Sequence, residues 1–158
     1  MNKPVWVIDT NVVLDLLHFS DPAAQPILRA LESGMIECRV TEATLEELRR
    51  VLAYPAFRLD AAAQASLWVR YRALAHCVDA PPPGTLPRCR DADDQKFLEL
   101  ADAESADVLV SKDRALLGLR RRRLLRFRII DPSRAVELVA GAGDSMRPCD
   151  SPVTNGPA

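Results

Sequence analysis

A chain of 158 residues, 48% of them apolar and with a net charge of −1, is long enough for one domain with a real core. That composition excludes global disorder, and the charge excludes a global basic field aimed at nucleic acid or anionic membrane, although a local patch would suffice. No stretch approaches the ~18 apolar residues that span a bilayer.

The chain opens with "VWVI" (5–8), a short buried strand that runs into Asp9 and a helix, "NVVLDLLHF". Pro22 and Pro26 bracket the start of a second helix, "AQPILRALESG", closed by Gly34. "MIECRV" (35–40) is a second strand, followed by the helix "TEATLEELRRVLAYP" with Thr41 as N-cap and Pro55 as terminator. "DAAAQASLWVRYRALA" (60–75) is another helix, and "HCVDA" (76–80) a short third strand. The proline-rich "PPPGTLPRCR" (81–90) is a stiff loop, and "DADDQKFLELADAESA" a helix with acids packed at its start. "DVLVS" (107–111) is a strand, "KDRALLGL" a short helix, "RFRIID" (126–131) a last strand and "PSRAVELVA" a last helix with Pro132 at its first position. Residues 1–140 form the domain, and 141–158, rich in Gly, Pro and Ser, read as a flexible tail.

Strands alternating with helices imply a parallel sheet of about five strands inside a three-layer α/β/α sandwich. In such sheets the ligand site lies beyond the carboxyl ends of the strands. The acids gather there. Asp9 follows the first strand, and Asp113 follows the "DVLV" strand by two residues. Asp91, Asp93 and Asp94 open the helix leading into that strand, and Glu42, Glu46 and Glu47 lie in the first turns after the second strand. Each acid also has a plain structural reading: Asp9, Asp91 and Asp113 as helix caps or helix-start residues, Asp94 as a dipole partner, Thr44-x-x-Glu47 as a capping box. Those readings are independent of one another, whereas one metal site accounts for all four segments together. Clustered carboxylates need a compensating cation, and an all-oxygen set without thiols suits Mg²⁺ or Mn²⁺.

No competing chemistry is visible. His18 and His76 stand in no triad-like setting. Cys38, Cys77, Cys89 and Cys149 form no C-x-x-C and have no neighbouring histidine pair, so they read as reduced thiols of a cytoplasmic protein. The four apolar residues before Asp9 are too few for a signal-peptide core.

Four blocks, "VIDTNVVLDLL", "TLEELRRVL", "RDADDQKFLELA" and "DVLVSKDRALL", in this order and spacing, resemble the PIN-domain nucleases, and most of all the toxins of bacterial type II toxin–antitoxin pairs. The resemblance covers about residues 5 to 140. It implies a parallel α/β/α sandwich, an acidic pocket for Mg²⁺ or Mn²⁺, and endonucleolytic cleavage of single-stranded RNA to 5′-phosphate and 3′-hydroxyl ends. Position by position it implies Asp9, Glu47, Asp94 and Asp113 as catalytic metal ligands, with Asp91 as an added acid for a second metal. Thr10, Asn11 and Ser111 match positions that orient carboxylates or water, Asn11 through its amide. A small antitoxin partner and homodimerisation or higher self-assembly also follow from the resemblance alone.

One departure stands out: "LRRRRLLRFR" (119–128) carries six arginines in ten residues. Arg120, Arg121, Arg122 and Arg123 are candidates for an RNA-binding rim, against the plainer reading of a solvated turn in a chain with 18 Arg and 3 Lys. Trp6 and Trp68 read as packing residues. Two rival functions remain to be weighed. A non-catalytic PIN module would bind RNA or a protein without cleaving, and the intact acid set argues against it. An aspartyl phosphatase of the haloacid dehalogenase type needs Asp-x-Asp after the first strand, where this chain has Asn11.

Overall fold

The computed structural model describes residues 3–82, 86, 92–121 and 125–144. The candidates Asp91, Arg122 and Arg123, and positions 145–158, lie outside the described residues, as do the side chains of Asp93 and Arg121.

Five short strands build one sheet: β1 (Val5–Ile8), β2 (Glu37–Val40), β3 (Ala75–Cys77), β4 (Val108–Val110) and β5 (Arg128–Ile130). Their order is β3-β2-β1-β4-β5, and every neighbouring pair is parallel. Parallel pairing forces a crossover between consecutive strands, and the helices supply it. α1 (Thr10–Leu17) and α2 (Gln25–Glu32) join β1 to β2, and α3 (Glu42–Leu52) and α4 (Ala61–Leu74) join β2 to β3. α5 (Ala92–Ala103) leads into β4, α6 (Arg114–Gly118) leaves it, and α7 (Pro132–Asp144) follows β5.

Alternation along the strands divides the core in two. Trp6 and Ile8 of β1, Cys38 and Val40 of β2, Val108 and Val110 of β4 and Ile130 of β5 pack against α1, α2, α3 and α7. Val7, Leu109 and Ile129 point to the other face, where Phe97, Leu98, Leu100 and Ala101 of α5 and Leu116 of α6 cover them. β4 is buried on both faces, as expected of a continuous apolar strand in a three-layer sandwich.

The caps follow the sequence. Thr41 Oγ accepts from the Thr44 N–H at 3.2 Å, and Thr44 Oγ accepts from the Thr41 N–H at 2.9 Å. Gly34, with φ of 73°, closes α2 in the left-handed conformation that suits glycine. Trp6 is core, and Trp68 is a packing residue whose indole N–H donates to Leu45 O at 3.0 Å.

Several boundaries differ from the sequence reading. β2 starts at Glu37 rather than 35, because Gly34 to Ile36 are used in turning out of α2. β3 begins at Ala75, directly from the end of α4, and stops at Cys77. Pro55 ends α3 as expected, but it also opens a 3-10 turn, Pro55–Phe57. A second 3-10 turn, Leu119–Arg121, extends α6 into the arginine run. α7 continues to Asp144, so Gly141–Asp144 prolong the helix instead of opening the tail. A glycine inside a helix costs only about 0.5–1 kcal/mol relative to alanine, and no proline intervenes before Pro148.

Candidate active site

The strand order reverses at β1. From β1 the chain moves outward to β2 and β3, then returns to place β4 and β5 on the other side. Such a switch point leaves a crevice at the carboxyl ends of the two central strands, here β1 and β4. The residues immediately beyond them are Asp9 and Ser111.

Asp9 is 3% exposed and Ser111 is fully buried. Backbone bonds stitch both in place: the Asp9 N–H donates to Val110 O at 2.9 Å and the Ser111 N–H to Ile130 O at 3.0 Å. Ser111 Oγ then donates to Asp9 Oδ2 at 2.8 Å and accepts from the Asp113 N–H at 3.0 Å. One hydroxyl thus ties the first acid to the loop that carries the last.

Asp9 stands at the N-cap position of α1, yet its side chain makes no cap. Its carbonyl oxygen takes the Val12 and Val13 N–H groups instead, which leaves the carboxylate to Ser111. Burial holds the Asp9 carboxyl above its ordinary value, and the Glu47 and Asp113 charges push the same way. The Ser111 hydroxyl and the Thr10 N–H oppose them and are outweighed. An acid kept here at such a cost is poorly explained as punctuation.

Glu47 is the one rim glutamate of α3 that turns inward. Thr10 Oγ1 donates a short hydrogen bond to its Oε2, and Lys96 Nζ lies 2.9 Å from its Oε1. The expected Thr44-x-x-Glu47 capping box does not form. Thr41 and Thr44 cap α3 between themselves, because Glu47 lies one turn too far along and is engaged elsewhere. Glu46 is exposed and pairs with Arg49 at 3.6 Å, and Glu42 takes a weak bond from the exposed Cys77 thiol.

Asp113 does both jobs the sequence allowed. Its Oδ1 caps α6, accepting from the Ala115 and Leu116 N–H groups at 2.7 and 3.2 Å, while its charge is felt at Asp9. Asp94 sits in the first turn of α5, half-buried, with Oδ2 shielded from solvent. Asn11 is exposed, and among the described residues its amide makes no hydrogen bond. The α1 backbone turns position 11 outward and position 10 inward, so Thr10 holds a carboxylate and Asn11 does not.

Sequence reasoning missed Lys96. Its ammonium pairs with Glu47, and the two side chains are only 22% and 15% exposed. The available signal was its rarity: Lys96 is one of three lysines in the chain and stands two residues after Asp94. A second lysine, Lys112, lies 2.7 Å from Asp15 of α1.

A divalent ion would meet a suitable donor chemistry here. The acids are oxygen donors, the central one is buried, and its acidic neighbours Glu47 and Asp113 add to its charge penalty. Among the described residues, however, no three acid, histidine or cysteine side chains stand close enough to ligate one ion as they are placed. Glu47 is held by Thr10 and Lys96 instead. Cys38 is no competing nucleophile: it is buried against Tyr71, and burial pushes its thiol up to about 11.

The second basic feature lies along the outer edge of β5. Arg120, Phe127, Arg128, Asp131 and Arg134 line a groove of about 520 Å³. Arg134 is paired with Glu137, whereas Arg120 and Arg128 are exposed and form no ion pair among the described residues. The groove runs toward Ile130, whose carbonyl is bonded to Ser111.

Comparison with known proteins bears on the family and the fold. The PIN domain profile matches residues 5–115, which includes Asp9, Glu47, Asp94 and Asp113. No curated protein matches the chain in sequence. Among solved structures the fold is similar to PAE2754 from Pyrobaculum aerophilum, with a TM-score of 0.61 at 17% identity over 87% of this chain and 90% of that one. It is also similar to VapBC2 from Rickettsia felis, solved bound to a DNA fragment from their promoter, with a TM-score of 0.58 at 12% identity over 80% of this chain and 98% of that one. At such identities these likenesses speak to the fold.

Proposed function

The chain belongs to the PIN domain family, whose members are generally nucleases, and from that premise we propose that it is a metal-dependent endoribonuclease acting on single-stranded RNA. Its products would carry 5′-phosphate and 3′-hydroxyl ends. The observation that carries this reading is the buried Asp9 carboxylate at the switch point, pressed by Glu47 and Asp113. A module that only bound RNA or protein, the alternative reading, would have no use for an acid held at that cost.

Asp9, Glu47, Asp94 and Asp113 would hold Mg²⁺ or Mn²⁺, with Asp91 a candidate for a second ion. When bound, the ion polarises a phosphoryl oxygen and lowers the pKa of an attacking water. The chain's own residues do the rest. Ser111 fixes the Asp9 rotamer and holds the 112–113 loop. Thr10 fixes Glu47. Ile8 and Val110, the buried apolar ends of β1 and β4, would keep bulk water from Asp9.

The toxin role and a small antitoxin partner are proposed from the family resemblance and supported by the likeness to VapBC2. A homodimer or higher assembly and a cytoplasmic location belong to the same proposal; no helix among the described residues is long and apolar enough to cross a membrane. The direct test is a cleavage assay. Purified protein should cut a single-stranded RNA with Mg²⁺ or Mn²⁺ and stop in EDTA, and full cleavage in EDTA would remove the metal from the reading.

The arginines of the β5 edge offer a path for the RNA backbone away from the acids. Each phosphate contact on a single strand contributes about 0.7 to the slope of log affinity against log salt. Replacing Arg120 and Arg128 by Gln should therefore weaken RNA binding and flatten that slope by about 1.4. Unchanged affinity and slope would mean that these guanidinium groups face only water.

A further inference from the structure

Resting on the metal reading above, we propose that Lys96 is the built-in counter-cation of the metal-free site, and that a divalent ion loads the site by displacing the Lys96 ammonium from Glu47.

Two observations carry this. First, both Glu47 oxygens are committed, Oε2 to Thr10 and Oε1 to Lys96 at 2.9 Å. A divalent ion at Oε1 would stand beside the Lys96 ammonium, and the two cations repel. Second, the pair is largely withdrawn from solvent, unlike the exposed Arg49–Glu46 and Arg134–Glu137 pairs of the same protein. Exposed pairs of that kind contribute little, whereas a shielded, charge-assisted bond competes measurably with an incoming ion.

The residue type suits the task. The chain has 18 arginines and only three lysines. A guanidinium would grip Glu47 with a rigid planar fork, whereas an ammonium is a compact charge on a flexible stem that can swing away. Displacement exchanges one positive charge for two at the acids. The released ammonium stays at the rim, because Lys96 is part of α5.

Calorimetric Mn²⁺ titration of the RNA-free protein tests this without any turnover. Lys96→Met should bind Mn²⁺ about tenfold more tightly than wild type, a change equivalent to ~1.4 kcal/mol. Without metal it should melt below wild type, since the acids lose their counter-charge. Lys96→Arg, which keeps the charge, should bind no more tightly than wild type. Should Lys96→Met prove unstable, the wild type itself answers: Mg²⁺ should raise the labelling rate of Lys96 by an amine-reactive ester several-fold and leave Lys3 unchanged. Equal or weaker Mn²⁺ binding by Lys96→Met, or labelling of Lys96 indifferent to Mg²⁺, overturns the proposal; either is what a lysine that touches only RNA phosphate would give. If wild type and Lys96→Met both fail to bind Mn²⁺, the metal reading falls and takes this inference with it.

Discussion

Replacing Asp9 by Asn should reduce RNA cleavage by more than ~100-fold, beyond the 10–100-fold that loss of an outer-shell partner costs. The same substitution should not harm the fold. Asn keeps a carbonyl oxygen to accept from Ser111 Oγ, and the helix cap at this position uses the backbone, not the side chain. The stability effect has a definite sign. The Asp9 carboxyl is raised by burial, so the folded protein resists its ionisation more than the unfolded chain does. Its cost is absent below the unfolded pKa and is fully imposed once pH has risen through the folded one. At neutral pH and without metal, Asp9→Asn should therefore melt at or above wild type, and the difference should shrink as pH falls toward the ordinary carboxylate range. A variant that unfolds readily while wild type is indifferent to metal would make Asp9 a structural residue after all.

The second large effect is stabilisation by the ion. At a free concentration 100 times its Kd, Mn²⁺ or Mg²⁺ should add about 2.7 kcal/mol to the native state. For a domain of this size that raises Tm by roughly 5–10 °C. Asp94→Asn should gain clearly less and lose cleavage. If Asp94 serves only as a dipole partner at the start of α5, its loss costs about 0.3–1 kcal/mol and metal changes neither protein. Differential scanning calorimetry of both proteins with and without Mn²⁺ separates the two cases.

The fold was readable because its signals are local. Asp9 and Asp113 follow strand ends, Asp94 opens α5 and Glu47 lies a turn into α3, and a parallel sheet delivers such positions to one edge. Thr41, Gly34, Pro55 and Pro132 mark helix ends by their own backbone chemistry. What the sequence could not show depends on side-chain direction. Thr10 and Asn11 are adjacent and both polar, and only the set of α1 against β1 decides that Thr10 reaches Glu47 while Asn11 faces solvent. The capping box was misplaced by three residues because Thr41, Thr44 and Glu47 share one spacing, and tertiary contacts decide which pair closes. Lys96 was invisible for the same reason: its partner Glu47 is 49 residues away. The run of α7 past Gly141 reflects a helix tolerating glycine where composition suggested a tail.

The chemistry of the RNA ends bears most directly on the claim that an ion held at Asp9 drives hydrolysis by water. A labelled single-stranded RNA cut by the protein with Mn²⁺ should yield 5′-phosphate and 3′-hydroxyl termini throughout. Products ending in 2′,3′-cyclic phosphate would mean that the ribose hydroxyl was the nucleophile, and would contradict the account.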